Sequence, residues 1–259
     1  MKFGLEETAV YFSYTHLIGR CADLPTQQKS IARSVSRFQN QPTENQMELT
    51  RETIWSAIRI EPKKTAVLVV DLQNAEVSEE VQLKYPDYVD RIKRLVVPNV
   101  RRLLDAARSN GVEVIYTTIE SLTQDGRDRS VLHKLVNLHV PKGSWGAKVL
   151  TEIAPVGDEI VLPKTGSGVF NTTVLEYVLR NIGIEAVIVV GVLTDQCIDM
   201  ALRDGADRGF LMICASDACT SYTESRHENA LRAQYRPVKI ATTTDLVLEL
   251  TGKATSTNP

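Results

Sequence analysis

Residues 185–204, EAVIVVGVLTDQCIDMALRD, combine a strand, a turn and the start of a helix. The apolar, β-branched run Ala186 to Val190 predicts a strand that is buried on both faces, as in a parallel sheet. Gly191 ends this run, a polar link follows, and from Cys197 onward apolar residues recur at helical spacing. The partial positive charge of a helix N-terminus lowers the pKa of a thiol. Cys197 is therefore a candidate nucleophile, and the alternative is a small apolar core residue.

The same alternation of buried-type strand and helix continues along the chain. Strands are predicted at 66–70, 112–118, 159–162, 186–190, 210–215 and 238–242. Helices are predicted after residue 87 and at 147–153, 173–181, 198–208, 225–235 and 244–250. This order predicts an open, mostly parallel α/β sheet with helices on both faces. The predicted domain covers residues 61–252, preceded by a polar N-terminal extension (1–60) that is partly helical or flexible, and followed by a polar tail (253–259).

Composition narrows the classes of function. The chain has 259 residues, 43% of them hydrophobic and 24% charged, with a net charge of −2. This charge gives no general attraction to nucleic acids or anionic membranes. The four cysteines include no CxxC pair, and no glycine-rich nucleotide-binding motif follows a strand. No stretch is apolar enough for a signal peptide or a membrane span. We expect a cytoplasmic protein with no cofactor and with no nucleic-acid or membrane partner.

Three reactive side chains are predicted at the carboxyl ends of strands, where open parallel sheets gather their functional residues. Asp71 follows strand 66–70, Lys164 follows strand 159–162, and Cys197 lies at the turn after the next strand. Each residue alone also has a structural explanation. Asp71 could cap a helix or bind a loop, Lys164 could be a solvated surface charge, and Cys197 could be a core residue. Together they would converge on one cleft, which favours a catalytic role.

The chemistry that suits this set is acyl transfer through a thiol. Asp71 is the candidate general base, which takes the Cys197 proton and later passes it to the leaving amine. Lys164 would keep Asp71 ionised and oriented and would favour the thiolate. The backbone N–H groups of Leu193 and Cys197 are the candidate oxyanion hole. No histidine is predicted at a strand end, so a Cys-His dyad is not indicated.

These motifs resemble those of the isochorismatase-like cysteine hydrolases, which include nicotinamidases, N-carbamoylsarcosine amidases and ureidoacrylate amidohydrolases. The resemblance spans about residues 63–250 and is carried by VLVVDLQN with Asp71, LPKTGSGVFNT with Lys164 and GVLTDQC with Cys197. It implies the three-layer isochorismatase-like sandwich, the same Asp–Lys–Cys triad, and a non-proline cis peptide bond at Val192–Leu193. It also implies a homo-oligomer.

Within that family, the segments KGSW, VLPK and FNT look most like ureidoacrylate amidohydrolases. The resemblance implies hydrolysis of a small amide, or of a ureido or carbamoyl compound, through a Cys197 thioester. Gln73, Asn74 and Ala75 stand near the place where nicotinamidases carry metal-binding histidines, so no metal is expected. Leu193 replaces the small residue that is usual in the cysteine loop, and Ala75-Glu76-Val77 replaces the usual glycine and aromatic residues.

Four residues near strand ends are predicted to contact the substrate. Gln73 and Asn74 would hydrogen-bond an amide or ureido group, and Glu120 a substrate N–H. Phe170 would form an apolar wall, with a core position as its alternative. Two other functions compete: an isochorismatase-type vinyl-ether hydrolase, and a catalytically silent scaffold. The presence of Cys197 argues against the first, and the complete triad against the second.

Overall fold

The computed structural model describes residues 54–55, 58–234 and 237–253. Most of the predicted N-terminal extension and of the polar tail lies outside these ranges, so the division into extension, domain and tail stays a prediction. From Arg59 onward the described residues belong to one unit built on a single sheet. Within the described ranges, no helix is both long and apolar enough to span a bilayer.

Six strands, all parallel, form the sheet in the order β3-β2-β1-β4-β5-β6 within the described part of the chain. The strands are β1 (Thr65–Val70), β2 (Glu113–Ile119), β3 (Ile160–Lys164), β4 (Ala186–Val192), β5 (Leu211–Thr220) and β6 (Lys239–Ala241). The order reverses between β1 and β4, because successive strands add on one side of β1 first and then on the other. Such a switch point leaves a crevice at the carboxyl ends of the strands.

Helices connect the strands, as the sequence predicts. They are α1 (Glu79–Lys84), α2 (Pro86–Arg91), α3 (Val97–Ser109), α4 (Val131–Leu135), α5 (Val169–Thr172), α6 (Leu175–Asn181), α7 (Asp199–Asp207), α8 (Glu224–Arg232) and α9 (Thr243–Leu250). Short 3-10 helices lie at Pro62–Lys64, Asn74–Val77, Trp145–Ala147 and Thr151–Ile153, and π-helical turns at Ile92–Val96 and Thr194–Ile198. The predicted open α/β sheet is confirmed.

Two sequence-based assignments were wrong in detail. The helix predicted at 147–153 is only a pair of 3-10 turns. β5 runs to Thr220, beyond the end predicted at 215, and Cys219 therefore lies in this strand, paired with Gly191, instead of in a loop. The pairing between β4 and β5 changes register between Val189 and Gly191, and this irregularity interrupts the simple strand pattern that the sequence suggests.

The core consists of apolar side chains between the sheet and the helices. Every residue of β1 and β4 is buried, which explains why both read as continuous β-branched runs. On α3, Val100, Leu103, Leu104 and Ala107 are completely buried at helical spacing. Fully burying a side chain of the Val or Leu type stabilises the fold by about 1.5–3 kcal/mol, so this face of α3 contributes strongly to the stability of the sheet.

Gly191 allows β1 and β4 to approach each other closely near their carboxyl ends. It pairs with Val70 across the two strands and has φ 123°, a conformation that residues with a side chain rarely adopt. A Cβ atom at this position would lie 2.1 Å from the carbonyl oxygen of Val70. Since that oxygen belongs to the buried backbone, it cannot move aside without shifting β1.

Substituting Gly191→Ala should therefore destabilise the protein by roughly 3–5 kcal/mol, from backbone strain together with overpacking. Gly157→Ala is the matched control: Gly157 also has a positive φ, 65°, but a Cβ there meets open space. The control should lose only about 1 kcal/mol. Urea denaturation of both variants measures the difference, and equal losses would show that the contact with Val70 is unimportant.

Candidate active site

Asp71 begins the loop after β1 and is held there by β2. Its N–H donates to the carbonyl oxygen of Thr117 (3.0 Å), and its Oδ1 accepts from the Thr117 hydroxyl (3.0 Å). The residue is only 1% exposed and has φ 55°, in the left-handed region that aspartate tolerates better than most residues. The backbone hydrogen bond holds Asp71 against β2, and the bond from the Thr117 hydroxyl fixes the direction of the carboxylate.

Lys164 is the last residue of β3, and its side chain is completely buried. Its Nζ lies 2.8 Å from Oδ2 of Asp71 and 3.4 Å from Sγ of Cys197, and it donates to the carbonyl oxygen of Gly166 (3.1 Å). The ammonium group therefore connects the carboxylate to the thiol. The structure brings together the three residues that the sequence placed at separate strand ends.

Burial and neighbouring charges together shift the pKa values of Lys164 and Cys197. Burial alone would lower the pKa of Lys164, but attraction to Asp71 and Cys197 outweighs it and raises that pKa. Burial raises the pKa of the Cys197 thiol to about 12, and the negative charge of Asp71 adds to this effect while Lys164 opposes it. Burial, at 6% exposure, thus opposes the lowering of the Cys197 pKa that a position at a helix N-terminus predicts. The thiol needs a base to lose its proton.

The turn that carries Cys197 has the geometry that the resemblance implies. The Val192–Leu193 peptide bond is cis, and the π-helical turn that contains Cys197 runs directly into α7. The Leu193 carbonyl oxygen accepts from the N–H groups of Gln196 (3.0 Å) and Ile198 (3.2 Å). Leu193 and Cys197 are both buried beside each other in this turn.

Helix α8 supports the same turn through polar contacts that the sequence did not reveal. The Thr194 hydroxyl lies 2.8 Å from Nδ1 of His227, and both groups are buried. Asp195 accepts from Arg226 Nε (2.6 Å) and from the Ser221 hydroxyl. His227 thus acts at the turn without contacting Cys197 as a catalytic base would.

Gln73, predicted to bind substrate, is instead a link between loops. Its Nε2 donates to the carbonyl oxygens of Ile119 (3.0 Å) and Gly146 (2.9 Å), and its Oε1 accepts from the Ile119 N–H (2.6 Å). Because the amide group is fully buried and engaged with the backbone, we correct the prediction of a substrate contact.

Asn74 and Glu120 also contact the KGSW segment. Asn74 Nδ2 donates to the Trp145 carbonyl oxygen (3.0 Å), and Oε1 of Glu120 accepts from the Gly143 N–H (2.7 Å). Each keeps one side-chain oxygen without a protein partner among the described residues, so both remain predicted substrate contacts, each with a second, structural role.

Phe170 packs in the hydrophobic core. It is 6% exposed, stacks on Phe210 with ring centroids 6.0 Å apart, and has the Arg208 guanidinium 5.3 Å from its ring. Phe170 therefore has the core position that the sequence offered as the alternative, in the same cluster of buried side chains as Cys197, and its role as an apolar wall stays a prediction.

Sequence reasoning missed a group of residues beside the triad. Glu76 follows Asp71 closely in the 3-10 turn, and its Oε2 accepts from the Tyr88 hydroxyl (2.6 Å). The Tyr222 ring lies edge-on to Tyr88, with centroids 5.0 Å apart. The departure at Glu76 from the usual motif was visible in the sequence, but its pairing with Tyr88 and the approach of Tyr222 from a distant segment were not.

Among the described residues, no group of three or more His, Cys, Asp or Glu side chains is placed so that it could hold a metal ion. The triad itself presents one carboxylate whose Oδ2 is paired with an ammonium group.

Known proteins resemble this chain in sequence and in fold. A sequence profile described as "Isochorismatase domain" matches residues 65–245. The chain belongs to the isochorismatase family. It is 30% identical over 200 residues to ureidoacrylate amidohydrolase RutB of Rhizobium rhizogenes, covering 68% of this chain and 78% of that protein. It is 31% identical over 184 residues to RutB of Agrobacterium fabrum, covering 62% and 78%.

Solved structures show the same fold. A cysteine hydrolase from Pseudomonas syringae pv. phaseolicola 1448A superposes with a TM-score of 0.65 and 25% identity, covering 76% of this chain and 96% of that one. An N-carbamoylsarcosine amidase from Thermoplasma acidophilum superposes with a TM-score of 0.57 at 23% identity, covering 70% and 96%. This member of the isochorismatase family is therefore a hydrolase with the three-layer fold of these relatives.

Lys164→Met should destabilise the protein by about 3–5 kcal/mol, because it leaves the Asp71 carboxylate buried without its cation. Adding Asp71→Asn to this variant should restore part of the loss, since the buried charge is then removed. Arg94→Met is the control, because Arg94 is 81% exposed in its pair with Asp90 and should contribute little. Guanidinium denaturation at pH 7 measures all of the variants, and equal losses for Lys164→Met and Arg94→Met would contradict the prediction.

Alkylation of Cys197 by iodoacetamide should be slow at pH 7 and should rise about tenfold for each pH unit up to pH 10, because only the thiolate reacts. Asp71→Asn removes a negative charge that raises the thiol pKa, so alkylation at a given pH should become faster. Mass spectrometry of the Cys197 peptide gives the rates. A plateau below pH 8 in the unaltered enzyme would show that burial does not control this thiol.

Proposed function

We propose that this hydrolase is a cysteine-dependent amidase that cleaves a small linear amide, or a ureido or carbamoyl compound, through a thioester on Cys197. The observation that carries the proposal is the position of Lys164 Nζ, 2.8 Å from the Asp71 carboxylate and 3.4 Å from the Cys197 sulfur. The similarity to ureidoacrylate amidohydrolases supports the amide as the substrate class.

In the first step, Asp71 takes the Cys197 proton while the sulfur attacks the amide carbonyl carbon. A C–S bond forms, and the carbonyl π electrons move to the oxygen. The proton on Asp71 then passes to the amide nitrogen, the C–N bond breaks, and ammonia or an amine leaves. Because burial raises the pKa of the resting thiol, the sulfur needs Asp71 as a base for this step.

In the second step, Asp71 takes a proton from a water molecule that attacks the thioester. The C–S bond breaks, the acid product leaves, and the proton returns to the Cys197 sulfur. Lys164 keeps its proton throughout, because its pKa is raised. Its role is to orient the carboxylate and to stabilise negative charge as it moves between Asp71 and the sulfur.

The N–H groups of Leu193 and Cys197 are the proposed oxyanion hole. The cis peptide bond at Val192–Leu193 precedes the turn, and the two residues lie together at the carboxyl end of β4. Removing one such donor typically raises the barrier by about 3–4 kcal/mol. Asn74 and Glu120 are the proposed contacts for the N–H groups of the substrate, because each keeps a side-chain oxygen that no described residue contacts by a hydrogen bond.

Cys197→Ala should lower amide turnover by at least about a thousandfold, as the loss of a nucleophile does in other hydrolases. The measurement is ammonia release from a panel of nicotinamide, ureidoacrylate, N-carbamoylsarcosine and biuret. Cys214→Ala is the matched control, since Cys214 is completely buried in β5. Mass spectrometry of the unaltered enzyme, quenched during turnover, should show an acyl adduct on Cys197.

Full turnover by Cys197→Ala would exclude the thioester mechanism. Turnover of isochorismate with no ammonia from any amide would indicate the vinyl-ether hydrolase instead. A protein that turns over neither class would indicate the silent scaffold.

A further inference from the structure

Glu76 and three tyrosines form a group beside the triad that the proposed mechanism does not use. We call Glu76, Tyr85, Tyr88 and Tyr222 the acid–tyrosine cluster. Tyr222 stacks on Tyr85 with centroids 4.2 Å apart and meets Tyr88 edge-on at 5.0 Å. Tyr88 is completely buried and donates its hydroxyl hydrogen to Glu76 Oε2. The rings and this hydrogen bond hold the carboxylate in one place.

The cluster lies next to the reacting groups. The charges of Asp71 and Lys164 both act on the pKa of Glu76, which burial of its carboxyl group raises to about 7. Burial raises the pKa of Tyr222 to about 12, and the negative charges of Glu76 and Cys197 contribute to that rise. Tyr222 directly follows Ser221, whose hydroxyl donates to Asp195 in the turn that carries Cys197. Glu76 lies in the 3-10 turn of the loop that Asp71 begins, so both ends of the cluster adjoin segments that carry the triad.

Among the described residues, the Glu76 carboxyl group forms no ion pair with a cation. Its Oε1 has no hydrogen bond or ion pair with any described residue. Arg226, which lies 5.4 Å from the Tyr222 ring centroid, is paired with Asp195 at 2.5 Å. Arg91 donates to the Thr220 hydroxyl and to two backbone carbonyl oxygens. The neighbouring guanidinium groups are therefore already engaged.

We propose that Glu76 determines substrate specificity: the acid–tyrosine cluster binds the part of the substrate beyond the scissile bond through N–H donors. The proposal rests on the amidase function above. The tyrosines hold the Glu76 carboxyl group in place through the Tyr88 hydrogen bond and the packing of their rings, while Glu76 Oε1 accepts from an N–H or ammonium group of the substrate. A substrate with a carboxylate at this end would meet like charge in a site of low dielectric. The substrate class is then a neutral or cationic amide.

The test measures charge selectivity at Cys197 directly, without a known substrate. Two alkylthiosulfonates with the same linker, 2-(trimethylammonio)ethyl and 2-sulfonatoethyl methanethiosulfonate, are reacted with the protein at pH 8. The ratio of their rates at Cys197 is normalised to the ratio for free cysteine. The unaltered protein should favour the cationic reagent, and Glu76→Gln should lower the normalised ratio by about tenfold or more.

Glu80→Gln is the matched control, because Glu80 is an exposed carboxylate in the first turn of α1. It should leave the ratio unchanged. Changes in the thiol pKa cancel in a ratio of two rates at one pH, so a purely structural role of Glu76 would alter stability without altering the ratio.

A second measurement needs no variant. The unaltered enzyme should show a kcat/KM for the neutral amides, biuret and nicotinamide, at least about tenfold above that for the carboxylates, ureidoacrylate and N-carbamoylsarcosine. An unchanged rate ratio in Glu76→Gln, or preference for the carboxylate substrates, would overturn the role of Glu76. Amide turnover that persists in Cys197→Ala would instead overturn the amidase function, so the two failures are distinguishable.

Discussion

The contact between the Lys164 ammonium and the Asp71 carboxylate is the constraint on which the site depends. Two charges are removed from water almost completely, and such a pair is tolerated only where further hydrogen bonds satisfy both groups. Thr117 satisfies the carboxylate from β2, and the Gly166 carbonyl oxygen satisfies the ammonium group beyond β3. The pair also sets the chemistry, because the same ammonium group reaches the Cys197 sulfur.

Much of this arrangement was predictable from local sequence. Buried parallel strands read as continuous apolar runs, so the polar residue that ends each run is conspicuous. Asp71 and Lys164 were found in this way, and Cys197 from the change from strand to helix after Gly191. Because parallel strands present their carboxyl ends at one edge of the sheet, all three were predicted to lie together. The switch point between β1 and β4 then accounts for the crevice between Asp71 and the cysteine turn.

What was missed depends on contacts between distant segments. Gln73 was predicted to bind the substrate because it lies close to Asp71 in the sequence. Its backbone partners, Ile119 and Gly146, are 46 and 73 residues away along the chain, so its structural role could not be read from the local sequence. The pKa of Cys197 was assigned from the adjacent helix end, which is a local property. Its burial depends on the whole fold, and burial dominates. Pairing and burial of this kind cannot be read from the spacing of residues along one segment.

The hydrogen bonds of Asp71 and the register of the sheet have a consequence for how the protein assembles. Thr117 and Lys164 reach Asp71 only because β2 lies between β1 and β3 with Val70 opposite Thr117 and Ile119 opposite Lys164. A shift of either strand by one residue would turn its polar side chain to the opposite face. Catalytic activity therefore requires the correct pairing of β2 with β1 and with β3. Two fragments divided in the loop after β2 would be inactive apart and would regain activity only on correct complementation.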